Sequence, residues 1–184
     1  MSGIPGSGKS TWVQKQISEF GGIWCSRDAV RFTMVHSKDE YFDRETEVFN
    51  EWIKEICDAL NNPLIKDIYI DATHLNDKSR NKVISRLPKD NIEDIINVFF
   101  KVPLDVCLER NEMRDGMAYV PKSVIRRMSH QLEYPNNKYK TITFPSWYAG
   151  RSGSHRSSRG CRDPQPAAPY SWRRPSYRHW HTAQ

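Results

Sequence analysis

The segment Gly3-Ile4-Pro5-Gly6-Ser7-Gly8-Lys9-Ser10 constrains this chain more than any other. It meets G-x-x-x-x-G-K-[ST] at every fixed position, the pattern of a loop that turns its backbone N–H groups inward around phosphates. Glycine is needed where backbone closes tightly on an anion, and the helix that follows adds the positive end of its dipole. Lys9 is placed to reach β- and γ-phosphates, and the Ser10 hydroxyl to ligate Mg²⁺. Gly3, Pro5, Gly6, Ser7, Gly8, Lys9, Ser10 and the adjoining Thr11 are the expected nucleotide-binding set. Such a loop needs a strand in front of it and a helix behind it. The helix is legible as Gly8–Phe20, stopped by Gly21-Gly22. Only Met1 and Ser2 precede Gly3, so the strand is expected to be missing from this sequence. In a parallel sheet it belongs in the interior, and its loss is expected to leave backbone groups unpaired on its neighbours.

Downstream, strand and helix alternate. Short strands are expected at Gly22–Cys25, Ile65–Ala72, within Ile92–Val102, and at Lys140–Phe144. Helices are expected at Asp43–Asn61, Asn76–Leu87, Pro103–Arg114 and Pro121–Tyr134. The first of these sets Val48, Phe49, Trp52, Ile53, Ile56 and Leu60 on one face at helical spacing. Apolar runs of about four to eight residues between helices imply an α/β fold, a parallel sheet covered by helices on both faces.

Charge separates the body from its end. Of the 28 Lys and Arg, seven Arg lie in residues 147–184; of the 22 Asp and Glu, only Asp163 does. Residues 1–146 therefore balance 21 basic against 21 acidic groups, and the net +6 belongs to the tail. The body carries no nucleic-acid-binding charge signature. Residues 147–184 contain no Ile, Leu, Val, Met, Phe or Lys, so they are expected to be a disordered basic tail. An Arg/aromatic grip on nucleic acid and a sequence foreign to this domain are the two readings of that tail. The expected division is a kinase domain at 1–146 and the tail at 147–184. No run of 18 apolar residues and no signal-like leader occur, and Cys25, Cys57, Cys107 and Cys161 form no CxxC pair. These features point away from membrane, disulfide framework and zinc site, and towards a reducing cytoplasm.

Two further clusters fall where strands end, the rim on which open parallel sheets bind ligands, and a third lies at a helix end. Ser26-Arg27-Asp28-Ala29-Val30-Arg31 offers a carboxylate able to take a hydroxyl proton and an arginine able to hold an anion. An N-cap Asp with a solvated Arg is the alternative. Asp71, in Asp71-Ala72-Thr73-His74, is a candidate for Mg²⁺ or its water shell, or else a cap of the next helix. His74, alone near a motif, reads as structural. Arg110 and Arg114, four apart before Gly116, suit a lid that neutralises charge in the transition state, or surface pairing with Glu109 and Glu112.

Taken together, GIPGSGKST, SRDAVR, IDATHLN with Arg80 following, and LERNEMRDGMAYVP resemble the kinase domain of polynucleotide 5′-hydroxyl kinases of the phage type, over roughly residues 3–133. The resemblance implies a P-loop kinase fold with ATP and Mg²⁺. It implies Asp28 as general base, Arg31 (with Arg27 beside it) on the acceptor's phosphate, Arg114 on the transferring phosphoryl group and Arg110 near the nucleotide base. Lys9 joins Asp28 and Arg114 as the catalytic set, with Ser10 and Asp71 at the metal. Ala72 stands where that family has the acid of D-T-N, and the D-x-D-x-T of the phosphatase often fused to phage enzymes is absent. The expected activity is ATP-dependent phosphorylation of a hydroxyl, foremost a polynucleotide 5′-OH. A small-molecule kinase and an inactive nucleotide-binding fragment are the alternatives.

Overall fold

The structure, a computed structural model, describes residues 1–37 and 43–145. The Arg-rich tail expected from residue 147 lies outside the described residues. Strands β1 (Ile23–Ser26) and β2 (Ile68–Asp71) pair in parallel, with Ile23 opposite Ile68 and Ser26 opposite Asp71. Strands β3 (Ile96–Lys101) and β4 (Lys140–Pro145) form a second parallel pair, with Ile96 opposite Lys140.

Met1–Gly3 joins these pairs, which revises the expectation of an unfilled interior position. The Met1 amino group donates to Ile70 O at 3.0 Å, and Gly3 N to Thr73 O at 3.0 Å, both towards β2. On the other side Ser2 N donates to Val98 O and Phe100 N to Ser2 O, each at 2.8 Å, a parallel bridge to β3. Three residues thus make the pairing needed to hang the glycine loop between β2 and β3.

Six α-helices are described: α1 (Lys9–Phe20), α2 (Arg27–Met34), α3 (Glu45–Leu60), α4 (Asp77–Ile84), α5 (Leu104–Glu112) and α6 (Lys122–Gln131). Alternation along β2 shows how both sheet faces are covered. Tyr69 faces α1, where Trp12 sets its ring edge on Tyr69 at 5.9 Å and on Phe100 of β3 at 6.0 Å. Ile68 and Ile70 face the opposite way and pack with Cys25 against Phe49, Trp52, Ile53 and Ile56 of α3. The Trp52 indole N–H donates to Cys25 O at 3.0 Å, so the largest buried side chain of that core has its polar atom satisfied. A smaller cluster, Ile4, Cys107 and Ile125, holds the loop against α5 and α6.

Element ends moved where local polar bonds outcompete the ladder. The Ile65–Ala72 run contributes only Ile68–Asp71 as strand, because Ile65 N bonds Asn62 O at 3.0 Å and closes a turn. Likewise Ile92 bonds back to Lys89 O at 3.2 Å and stays outside β3. Asp28 is not a helix cap: the Ser26 hydroxyl caps α2, accepting from Ala29 N at 3.2 Å. Asp71 caps nothing either, since Asn76 begins α4 in a reciprocal box with Ser79.

Candidate phosphoryl-transfer site

The loop Gly3–Ser10 runs from the Met1–Gly3 bridge into α1. Gly6 (φ 83°) and Gly8 (φ 89°) hold the left-handed backbone that turns successive N–H groups towards one point. Gly6 also lies against α5, where an added Cβ would stand 2.3 Å from Cys107 O. Lys9 is buried, and its Nζ donates to Gly3 O at 2.9 Å, Ile4 O at 3.0 Å and, more weakly, Ser7 Oγ at 3.4 Å. Burial pushes the Lys9 ammonium below its usual range; Asp71 opposes this, Arg114 adds to it, and Asp28 opposes it again. Lys9 therefore lies within electrostatic reach of three other expected site residues, Asp71, Arg114 and Asp28.

Ser10 and Asp71 meet: the Ser10 hydroxyl donates to Asp71 Oδ2 at 3.2 Å, and the Trp24 indole donates to the same oxygen at 3.2 Å. Asp71 is buried on the α1 side of the sheet, opposite Ser26 in the ladder. A hydroxyl and a carboxylate at the head of a phosphate loop are hard oxygen donors of the kind Mg²⁺ takes, so these residues fit that ion.

Arg110 reaches the loop from α5, its Nη1 lying 3.4 Å from Gly6 O. The alternative pairing with Glu112 is not the one observed, since Glu112 meets Lys122 at 3.3 Å. Asn111 between the two arginines is fully buried; its Nδ2 donates to Val120 O at 2.7 Å and its Oδ1 accepts from Val120 N at 3.1 Å. That clamp is the physical content of the R-N-x-x-R…V-P spacing, because it ties the segment carrying Arg114 and Gly116 back to α5.

Asp28 and Arg31 share a face of α2, and Arg31 Nη1 donates to Asp28 Oδ1. Arg31 is also held by Glu45, at 2.9 Å to Oε2 and 3.2 Å to Oε1, and Glu45 pairs with Arg27 as well. The Arg27 guanidinium lies over the Phe49 and Trp52 rings, 5.4 and 5.8 Å from their centroids. Pro5 and Ser7 are buried in the loop, and Thr11 is exposed at the start of α1. Glu45 is the functional candidate that the sequence did not reveal. Its partners lie 14 and 18 residues away, and only the packing of α2 on α3 joins them.

His74 serves the scaffold. It sits at φ 41° with its Nδ1 2.9 Å from Met1 O, and burial above all pushes its pKa down to about 3. Unfolded, the imidazole takes its proton near 6.5; folded, only near 3, so stability is lost as the pH is lowered from 6.5 towards 3, by about 1.4 kcal/mol per unit. We expect His74→Asn, which tolerates left-handed backbone, to flatten this dependence. Denaturant melts at pH 6.5 and 5 should show the unaltered protein losing about 2 kcal/mol more than the variant.

Among the described residues no helix is long and apolar enough to cross a membrane. No curated protein sequence matches the chain. Among solved structures, a sugar kinase from Janibacter sp. HTCC2649 aligns at 22% identity and a TM-score of 0.53, covering 78% of this chain and 81% of that one. A gluconokinase from Sinorhizobium meliloti 1021 aligns at 19% identity and a TM-score of 0.49, covering 77% of this chain and 78% of that one. The first likeness gives the fold, that of a P-loop kinase. The family model described as AAA domain matches residues 1–135, and with the glycine loop, its lysine and the parallel sheet in place, this chain belongs to that family.

Proposed function

We propose that the protein is an ATP-dependent kinase that transfers the γ-phosphoryl group to a hydroxyl of a small acceptor. The observation that carries this reading is the glycine loop with Lys9 buried in it and the Ser10–Asp71 pair at its head, with Arg114 and Asp28 near enough to act on the Lys9 charge. Asp28 takes the proton from the acceptor O–H as that oxygen bonds to the γ-phosphorus. The bond from phosphorus to the β,γ-bridging oxygen breaks, and ADP leaves with its electron pair. Lys9 exchanges its loop carbonyls for phosphate oxygens, and Lys9 and Arg114 together offset the charge that develops. Mg²⁺, held by Ser10 and by Asp71 directly or through water, supplies charge neutralisation and alignment of the phosphates.

Two features support a small acceptor over a polynucleotide. The body has no net charge, and the Arg31 guanidinium is engaged by Asp28 and Glu45 rather than directed at an incoming phosphate. The R-D-x-x-R and R-N-x-x-R…V-P spacings favour the second reading, a polynucleotide 5′-hydroxyl acceptor. Competition decides between them. Labelled ATP is offered to a panel of sugars, polyols and nucleosides alongside a 5′-hydroxyl oligonucleotide. Label on a small compound and none on the oligonucleotide is expected; label on the oligonucleotide alone favours the second reading.

The metal pair has its own test. Asp71→Asn should raise the Mg²⁺ concentration for half-maximal transfer by about 10–100-fold, and excess chelator should abolish transfer by the unaltered protein. An unchanged Mg²⁺ titration would remove Asp71 from the metal site.

A further inference from the structure

Glu45 belongs to none of the motifs, yet it lies at the centre of the charges behind Asp28. It is the first residue of α3, and its carboxylate receives both Arg31 and Arg27 from α2. The side chains form a gradient from solvent inward: Asp28 is 68% exposed, Glu45 34% and Arg31 7%. We infer that Glu45 is a positioning residue for phosphoryl transfer: through Arg31 it fixes the Asp28 carboxylate so that Oδ2 faces the acceptor hydroxyl. The inference rests on the kinase reading above.

Two arguments carry it. An exposed Asp on a helix rotates freely about two torsions, whereas a general base must meet its proton within hydrogen-bond reach. Arg31 removes that freedom because its fork is planar, with Nη1 on Asp28 Oδ1 and Nη2 on Glu45. Once Glu45 holds one nitrogen, the plane of the fork and therefore the place of Oδ1 are set. Oδ2 is left as the oxygen that receives the proton.

The second argument is electrostatic. Arg27 and Arg31 both converge on Glu45, and Arg27 is packed over Phe49 and Trp52 and so has little room to withdraw. Without the Glu45 charge, Asp28 is the carboxylate already bonded to Arg31 and next to Arg27 in sequence. It would be drawn into pairing through both oxygens, and a carboxylate so engaged is a poor base. Glu45 thus keeps two neighbouring cations from capturing the group that has to accept a proton.

The test compares Glu45→Gln, Glu45→Asp, Asp28→Asn and the double variant Glu45→Gln/Asp28→Asn, using labelled γ-phosphate transfer from Mg·ATP to the acceptor panel above. Glu45→Gln keeps size and an acceptor oxygen but loses the charge. It should lower kcat by about 10–100-fold, the effect of a small misplacement at a reacting group, with the KM for Mg·ATP within about twofold. Glu45→Asp restores the charge and should recover part of the loss. In the Asp28→Asn background, Glu45→Gln should have almost no further effect, because the group it positions is already gone. A loss that multiplies that of Asp28→Asn, or falls on the KM for Mg·ATP, overturns the positioning role and leaves the kinase reading standing. No label leaving ATP for any acceptor with the unaltered protein overturns both. Melting temperatures of the variants identify any loss that comes from unfolding.

Discussion

Gly6→Ala should remove nucleotide binding, whereas Gly21→Ala, also at a positive φ, should leave it intact. Gly6 has φ 83° and Gly21 φ 78°, so both substitutions force an L side chain onto positive-φ backbone, and Gly21, at ψ −163°, carries a strain penalty of its own of about 1–3 kcal/mol. Their surroundings differ. Nothing lies within 4 Å of a Cβ added at Gly21, while at Gly6 that carbon would stand 2.3 Å from Cys107 O and 3.0 Å from Cys107 Cα. Backbone of a packed helix cannot yield as a side-chain tip would, so the loop has to lift away from α5. Its N–H groups then lose their common focus. We expect the affinity for Mg·ATP, measured by calorimetry, to fall at least about 100-fold for Gly6→Ala. The thermal stabilisation that saturating ATP gives should disappear with it, about 2.7 kcal/mol at a hundred times Kd. Gly21→Ala should lower the melting temperature by a few degrees and keep its Kd. Equal affinities in the two variants would mean that the loop is not held in place by α5.

Asp28→Asn should lower kcat for transfer by about 10²–10⁴-fold, the usual range for a positioned general base, with nucleotide affinity unchanged. Asparagine keeps the shape and one oxygen towards Arg31, so α2 and its Ser26 cap should be undisturbed. Most of the Asp28 side chain is exposed, so its neutralisation leaves no large buried charge except through Arg31, which retains Glu45. Rapid-quench measurement of a single turnover, beside calorimetric Kd for Mg·ATP, separates the two quantities. A kcat within a few-fold of the unaltered protein would mean that the proton leaves by another route.

What could be read from the sequence follows a physical divide. The loop was legible because each of its fixed residues answers a local demand of backbone angle or phosphate charge. The order of elements was legible because α3 and the strands carry their burial pattern in consecutive side chains. Ends were less so: turns at Asn62–Ile65 and Lys89–Ile92 take their backbone bonds locally and shorten β2 and β3. Two further features depend on tertiary packing and leave little trace in a local pattern. One is the pairing of Met1–Gly3 with both β2 and β3, where the sequence leads one to expect unpaired backbone groups. The other is Glu45, which reads as one acid among several at the start of an amphipathic helix until α2 is laid against α3. Arg31 illustrates a related limit. Its position on the Asp28 face could be inferred from a spacing of three, but its second carboxylate partner could not.

The central claim is that one glycine loop, one metal pair and one carboxylate form a working phosphoryl-transfer site. The most direct measurement follows the label of γ-phosphate ATP in the unaltered protein and Asp28→Asn side by side, with Mg²⁺ and with chelator, over the acceptor panel. The account predicts label on a small hydroxyl compound, dependent on Mg²⁺, reduced at least 100-fold by Asp28→Asn, while both proteins bind ATP equally. Tight ATP binding with no label leaving ATP for any acceptor, or transfer that Asp28→Asn does not slow, would contradict it.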